Sequence, residues 1–188
     1  MKIFKFIVGV TEVVLLISCG GSTGKKLPDQ KGFTVIEKEL KSKFGENAFY
    51  TDLTITYDES IGNIISVVVS KNPESLKMEE WDSTEGNWLQ SSEISIEVPK
   101  GSEAADFMFQ LNNTISLSKL GELVEKSSKQ LTAEKAINDP VLSMAFIKFP
   151  ENGDSNKTKY VVILTPPNGG TTFTFSYKLN GDLIVMDN

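Results

Sequence analysis

The feature that most constrains the fold is a hydrophobic period that changes from helical to strand-like, twice along the chain. A helix is predicted over 33–44, because apolar side chains recur there every four residues, at Ile36, Leu40 and Phe44. Thr34 and Glu37 have the spacing of a capping box, which predicts the start of this helix. Beyond it the period falls to two, which is typical of half-buried strands.

Four strands are predicted in the first half of the chain. Turn-forming residues separate them: Gly62, then Asn72-Pro73, then a polar hairpin loop over 82–87. The second strand has a nearly continuous apolar run, which indicates a central place in a sheet. The four predicted strands cover residues 50–57, 64–70, 76–81 and 88–98.

The second half repeats this order after a break at 99–102. The stretch 106–111 alternates like a strand but is short, so its assignment stays open. A second helix follows, with leucines at helical spacing over 117–131, either Ser116 or Ser118 as its N-cap, and an end before Asp139-Pro140. Four more strands are predicted, over residues 141–149, 160–165, 171–178 and 183–186.

We interpret this order as a tandem repeat. The predicted fold class is α+β, with two tandem α-β4 units over 33–98 and 99–188, each a helix packed on a four-stranded antiparallel sheet. Both halves place a valine-rich strand before a proline turn, then a strand that ends in an aromatic residue, then a glycine hairpin. The alternative is that two unrelated α+β meanders share this coarse pattern.

The element order and size resemble the tandem α-β4 fold of the beta-lactamase inhibitory protein. They are also similar to PepSY-like and small envelope-lipoprotein modules. The resemblance implies that a helix covers one face of each sheet. The other face would then be left to solvent or a partner.

The N-terminus resembles a bacterial lipoprotein signal. Lys2 and Lys5 precede an apolar run that is too short for a comfortable membrane span, and residues 1–18 are predicted to be a signal peptide. The segment Leu16-Ile17-Ser18-Cys19-Gly20 resembles a lipobox, which implies cleavage before Cys19 and lipid on its thiol. The alternative is an ordinary cleaved signal peptide, in which this cysteine is only one apolar residue.

A lipidated tether is predicted to follow, over residues 19–32. The lipid on Cys19 would anchor the chain to a membrane. In lipoproteins that this segment resembles, an aspartate after the cysteine tends to keep the protein in the inner membrane. Gly20 occupies that position here, which favours the outer membrane and leaves open which side of it the protein faces.

Composition excludes several kinds of chemistry. The chain contains no histidine and a single cysteine, so a Ser-His-Asp triad, a His-ligated zinc site and an internal disulfide are excluded. All 19 positive charges are lysines and the net charge is −6, which disfavours binding to nucleic acid. Carboxylate or Ser-Lys chemistry remains possible, and we expect no cofactor and no metal.

Two aromatic groups are candidates for binding a partner. Trp81 and Trp88 flank the first predicted hairpin; they are candidate anchors, although a cross-strand pair that clamps the hairpin is the preferred interpretation. Phe173, Phe175 and Tyr177 form a stripe on one strand; sheet core beneath the second helix is the preferred interpretation, and an interaction patch is the alternative if the stripe faces away from that helix.

Acidic residues give only weak hypotheses. Glu79 with Asp82 or Glu85 could form a carboxylate pair for glycoside hydrolysis. The loops 82–87 and 151–156 carry oxygen ligands that could hold calcium, but neither has EF-hand spacing, and solvated turns are the preferred interpretation.

The leading hypothesis is a lipid-anchored envelope protein that is not an enzyme and binds a protein or a small ligand through an exposed sheet face. A second hypothesis is an assembly or structural accessory factor of the outer membrane. A third is a small lipid-anchored hydrolase that uses carboxylates or a Ser-Lys pair.

Overall fold

The computed structural model describes residues 27–188, which form an α+β fold of two helices and one eight-stranded antiparallel sheet. Cys19 and the predicted signal peptide lie outside the described residues. The elements, in chain order, are α1 Gln30–Phe44, β1 Phe49–Asp58, β2 Gly62–Ser70, β3 Lys77–Thr84, β4 Asn87–Ser95, α2 Leu117–Lys135, β5 Val141–Lys148, β6 Lys159–Thr165, β7 Phe173–Lys178 and β8 Leu183–Asp187.

The sheet is continuous, with strand order β4-β3-β2-β1-β5-β6-β7-β8. Its two halves meet where β1 pairs with β5, and Ile55 lies opposite Ala145 in that pairing. The sequence predicted four strands for each helix and left open whether the two units share one sheet. The β1–β5 hydrogen bonds join all eight strands into one sheet, because each half leaves an edge strand free to pair with the other.

The helix α1 starts four residues before the predicted capping box. Asp29 is its N-cap, and its carboxylate accepts a hydrogen bond from the Gly32 amide at 2.7 Å. The prediction that Thr34 caps the helix is wrong: its hydroxyl donates to the Gln30 carbonyl inside the first turn. Glu37, the other predicted member of the box, instead accepts from the Leu117 amide of α2 at 2.7 Å.

The helix α2 begins at one of its two predicted caps. The Ser116 hydroxyl accepts a hydrogen bond from the Lys119 amide at 3.2 Å, so Ser116 is the N-cap. The helix then passes very close to the start of α1. A Cβ atom on Gly121 would lie 2.6 Å from the Asp29 carbonyl oxygen, so only glycine allows this approach.

Both helices pack on the same face of the sheet and form one core with it. The core row runs across both halves through Ile65, Ile55, Ala145, Val162 and Phe175, which are neighbours on successive strands and are fully buried. Apolar side chains of α1 and α2 complete this core, among them Phe33, Ile36, Leu40, Leu120, Leu123 and Leu131.

Four β-bulges interrupt the ladders, two in each half. The first half has an extra residue at Thr51 on β1 and at Ser91 on β4. The second half has one at Ser143 on β5 and at Ile184 on β8. The bulges therefore occur in corresponding strands of the two halves, the first and the fourth.

Two turn regions differ from the predictions. The predicted loop 82–87 is a two-residue turn at Glu85-Gly86, both with positive φ, and β3 continues to Thr84. The ambiguous stretch 106–111 is no strand: it overlaps a 3-10 turn at Ala104–Phe107 and makes one bridge, between Phe109 and Tyr50. Neither helix within residues 27–188 is long and apolar enough to cross a membrane.

Candidate functional site

The helices leave one face of the sheet without a covering layer, and we call it the open face. Register fixes its members, because residues directly opposite each other on paired strands share a face. Its central rows consist of Asp52, Thr54, Thr56, Ile64, Ser66, Val68, Glu80, Asp82, Thr84, Leu89, Met144, Phe146, Lys148, Lys159, Val161, Ile163, Thr174, Ser176, Lys178 and Val185.

Apolar side chains occupy the middle of the open face. Met144 and Phe146 on β5, and Ile163 on β6, are half-buried although no helix lies over them. At the two edges of the sheet, Leu89 is 71% exposed and Val185 is 39% exposed. Polar side chains on β1, β3 and β7 separate these edge residues from the apolar patch on β5 and β6. An exposed apolar patch of this kind can mark an interaction site.

The charges of the open face are divided between its two halves. Three lysines at the ends of β5, β6 and β7 are direct cross-strand neighbours: Lys148 opposite Lys159, and Lys159 opposite Lys178. We call these three residues the lysine row. Within residues 27–188, none of them takes part in an ion pair.

Acidic side chains lie on the other half, and we call them the acidic group: Asp52, Glu80 and Asp82. Each is held by a neighbouring hydroxyl rather than by a lysine. The hydroxyl of Ser66 donates to Asp82 at 2.7 Å, that of Thr54 donates to Asp52 at 3.0 Å, and that of Ser92 donates to Glu80.

One end of the open face is covered by the chain that connects β4 to α2. There Met78 on β3 packs in a small second core with Ala104 and Met108 of this connection, and all three are buried. Phe49 and Val68 border the same cluster. We call residues 96–108 the cap. The uncovered part of the open face therefore begins at the row that contains Val68.

The two tryptophans lie on the helix side of the sheet. The ring of Phe44 makes edge contacts with Trp81 at 5.8 Å and with Trp88 at 5.4 Å. The Lys43 ammonium lies 4.0 Å from the Trp81 ring centroid, and the Trp88 indole nitrogen donates to Glu39 at 2.5 Å. Both side chains are engaged with α1, so they take no part in the surface described above.

The aromatic stripe of β7 lies beneath α2. Phe173 is 6% exposed, and Phe175 and Tyr177 are fully buried. The Tyr177 hydroxyl shares a hydrogen bond with Ser127 of α2 at 2.8 Å. Burial raises the pKa of Tyr177. These side chains belong to the core, and a partner cannot reach them while the sheet is folded.

The candidate carboxylate pair is divided between the two faces. Glu79 lies on the helix side, where it accepts from the Trp81 indole nitrogen at 2.8 Å, whereas Asp82 lies on the open face. Side chains three apart on a strand point to opposite faces, so Glu79 and Asp82 do not converge. Within residues 27–188, there is no cluster of three or more potential metal ligands among Asp, Glu and Cys.

A cleft of about 510 Å³ lies at the ends of β6 and β7, beside the loop that precedes α2. Ser155, Lys157 and Lys178 line it, but the Lys157 ammonium is bound to Asp154 at 3.2 Å. Thr158 also lines it, and its hydroxyl is buried without a hydrogen-bond partner among the described residues. The cleft brings polar groups together, but no carboxylate is among its lining residues.

Sequence reasoning missed both charged groups of the open face. Lys148 and Lys159 stand at strand ends, two residues from the apolar Phe146 and Val161, and Lys178 is two residues from Ser176; this alternation places the lysines on the open face. That alternation was visible in the sequence. Their adjacency was not, because it depends on the register between strands.

Comparison with known proteins gives one similar structure. No protein-family model matches the chain, and no curated protein matches it. A crystal structure of a candidate lipoprotein from Clostridium difficile 630 matches with a TM-score of 0.49 and 10% sequence identity, over 80% of this chain and 88% of that chain. At this TM-score the similarity carries no argument about function.

Proposed function

We propose that this chain is a lipid-anchored protein of the bacterial cell envelope that binds a partner through the open face and is not an enzyme. The observation that supports the proposal is that the helices cover only one face of the sheet. Both helices pack on one face, and half-exposed apolar side chains, among them Met144, Phe146 and Ile163, occupy the other. A stable sheet with an exposed apolar face is suited to hold another protein.

The proposal includes a tandem origin for the fold, with two α-β4 units over 33–98 and 99–188. The strand order β4-β3-β2-β1-β5-β6-β7-β8 is what two such units give when their first strands pair. The bulges add independent support, since Thr51 and Ser143 interrupt the first strand of each half, and Ser91 and Ile184 interrupt the last. Matched bulges are a feature that duplication preserves.

The anchor in this proposal is lipid on Cys19, with the outer membrane as the location. Its support is the lipobox resemblance of Leu16-Ile17-Ser18-Cys19, followed by Gly20 where inner-membrane lipoproteins carry aspartate. Attachment of more than one acyl chain would make the anchor stable. An open face close to a membrane surface is well placed to hold an envelope component.

The binding proposal is tested by photo-crosslinking in cells. A photoreactive phenylalanine analogue replaces Phe146 or Ile163 on the open face, and Lys129, which is exposed on α2, in a matched control. We expect protein adducts from the two open-face positions and none from Lys129. Adducts that form from Lys129 alone, or no adducts at all, would show that the open face is not the binding surface.

The anchor is tested by two substitutions. Cys19→Ala should abolish incorporation of a labelled fatty acid and leave the uncleaved precursor, because the thiol that carries lipid is gone. Gly20→Asp should keep the label but move the protein to the inner-membrane fraction. Fatty-acid labelling that persists in Cys19→Ala would refute the anchor without affecting the binding proposal.

A further inference from the structure

The lysine row is an arrangement that an isolated sheet does not favour. Like charges directly opposite each other on paired strands repel, and Lys159 has a lysine on each side. Within residues 27–188, no ion pair compensates this repulsion. The row is therefore a site where an approaching negative charge is stabilised.

Two members of the acidic group, Asp52 and Glu80, lie at the same level of the sheet as the lysine row, and Asp82 lies one row away, level with Phe146. Glu80 pairs with Val68, which pairs with Asp52. Thr54 pairs with Phe146, and when that register is continued by two residues, Asp52 lies level with Lys148. This level of the open face is therefore negatively charged on the first half, with Glu80 on β3, and positively charged on the second half, with Lys178 on β7.

We propose that the open face binds a second copy of this chain, face to face, about a two-fold axis parallel to the strands and between β1 and β5. This inference deepens the proposed function, and it rests on it, because it names the partner of the same surface. A two-fold interface must be self-complementary, and the division of charge on this sheet has that property.

The axis places each strand of one half opposite the corresponding strand of the partner's other half. It brings β3 over β7, and β2 over β6, at the same level along the strands. Glu80 of one copy then faces Lys178 of the other, and Ile64 faces Ile163. At the edges, Leu89 faces Val185, the side chains that are 71% and 39% exposed in the single chain.

The cap does not obstruct this arrangement. It covers the end of β1, β2 and β3 beyond the row of Val68. In the partner, the same level lies past the ends of β5, β6 and β7, because those strands end at the lysine row. The cap of each copy therefore lies beyond the sheet of the other.

The size and the direction of the surface also fit a dimer. Three rows across eight strands give an area on the order of 700 Å² per copy, close to the roughly 800 Å² that each partner buries in a standard interface. An axis parallel to the strands places the start of α1 at the same end in both copies, which suits two predicted lipid anchors in one membrane.

The test is a charge exchange, made in a chain that begins at Gly20 and so keeps every element that the structure describes. One variant carries Lys148→Glu and Lys178→Glu, a second carries Asp52→Lys and Glu80→Lys, which are the residues that face them in the proposed dimer, and a third carries all four substitutions. Sedimentation equilibrium measures self-association, and circular dichroism checks that each variant is folded. A matched control, Lys71→Glu with Lys129→Glu, reverses two exposed lysines away from the open face.

We expect the parent chain and the control to dimerise, and to dissociate as salt rises toward about 1 M. Each two-site variant should dimerise at least about tenfold more weakly, because it places like charges opposite each other. An equimolar mixture of the two should form a heterodimer, and the four-site variant should recover self-association. If the four-site variant fails to fold, heterodimer formation in the mixture of the two two-site variants still tests the proposal.

Three results would overturn the proposal: a monomeric parent chain, two-site variants that dimerise normally, or folded variants that show no rescue on mixing. Photo-crosslinking separates its failure from that of the proposed function. Adducts from Phe146 to a different protein, with a monomeric chain, would refute the dimer and keep the binding surface. No adducts from Phe146 or Ile163 would refute both.

Discussion

The two halves of the sheet share their strand order and the strands that carry bulges, yet they differ on both faces. On the helix side, the first half ends in two half-buried tryptophans around Phe44, whereas the second buries Phe175 and Tyr177 completely. On the open side, the first half carries the acidic group and the second the lysine row. One topology therefore accommodates two different sets of contacts and charges.

The difference on the helix side follows from what each helix covers. The helix α1 reaches the β3–β4 edge with its C-terminal part, where Phe44, Lys43 and Glu39 contact Trp81 and Trp88. The helix α2 has more turns, and its Ser127 reaches the Tyr177 hydroxyl on β7. Substitutions on the helix side should therefore affect stability, and those on the open face should affect association.

The largest expected effect comes from the buried stripe of the second half. Phe175→Ala should lower the free energy of unfolding by about 3–5 kcal/mol, since it removes a fully buried ring and leaves a cavity. Urea denaturation measures the loss. The matched control is Phe146→Ala on the open face, which should cost far less in the monomer. Equal losses for both variants would show that the two faces are not distinguished as described.

The close approach of the two helices should give the next largest effect. Alanine usually stabilises a helix interior relative to glycine by about 1 kcal/mol. At Gly121 we expect the opposite sign, a loss of about 1–3 kcal/mol, because the new Cβ would lie 2.6 Å from the Asp29 carbonyl oxygen. Lys129→Ala on the exposed side of α2 is the control. A stabilising Gly121→Ala would contradict the packing of α2 against the start of α1.

Much of this architecture could be predicted from local pattern. Both helices and all eight strands occur where the hydrophobic period predicted them, because the core side of each element must be apolar. The ends of the elements were less predictable. Asp29, not Thr34, is the N-cap of α1, and β3 continues to Thr84, inside the predicted loop. Such boundaries depend on single hydrogen bonds.

The site was less predictable than the fold. Trp81, Trp88 and the β7 stripe were candidates for binding a partner, although a packing role was the preferred interpretation of both groups, and register places them on the helix side. The charged groups of the open face depend on pairings such as Lys159 with Lys178, which join residues far apart in sequence. A one-residue shift in that register would move every side chain of a strand to the other face.

The buried tyrosines give a smaller contrast between the halves. Tyr160 accepts a hydrogen bond from the Ser116 amide at 2.9 Å, whereas the Tyr50 hydroxyl is buried with no partner among the described residues. At neutral pH, Tyr160→Phe should cost about 1 kcal/mol, whereas Tyr50→Phe should leave the free energy of unfolding unchanged or raise it, because it removes a buried hydroxyl without a partner among the described residues. Denaturation at pH 7 compares the two. A larger loss for Tyr50→Phe would show that its hydroxyl has a partner.

Tyr50 should also make the free energy of unfolding fall in alkali. Burial, and then the nearby charge of Glu37, raises the pKa of Tyr50, so it stays protonated in the native chain where the unfolded chain ionises, above about pH 10. The unfolded state then holds fewer protons, so stability falls as pH rises above about 10. Tyr50→Phe should lessen that fall. If the variant and the parent lost stability equally between pH 8 and about pH 11, another group would be responsible.

The smallest expected effect lies on the open face. At concentrations where the chain is monomeric, Lys159→Gln should raise the free energy of unfolding by about 0.2–1 kcal/mol, because it removes the middle charge of three adjacent lysines. The gain should vanish near 1 M salt, which screens the repulsion. Lys129→Gln, on the exposed side of α2, is the control. The same substitution should weaken self-association, since it removes a charge that the partner's acidic group attracts. A residue that destabilises the monomer and stabilises the dimer is expected on a surface selected for binding. If Lys159→Gln instead lowered the stability of the monomer, the lysine row would contribute to folding and not to association.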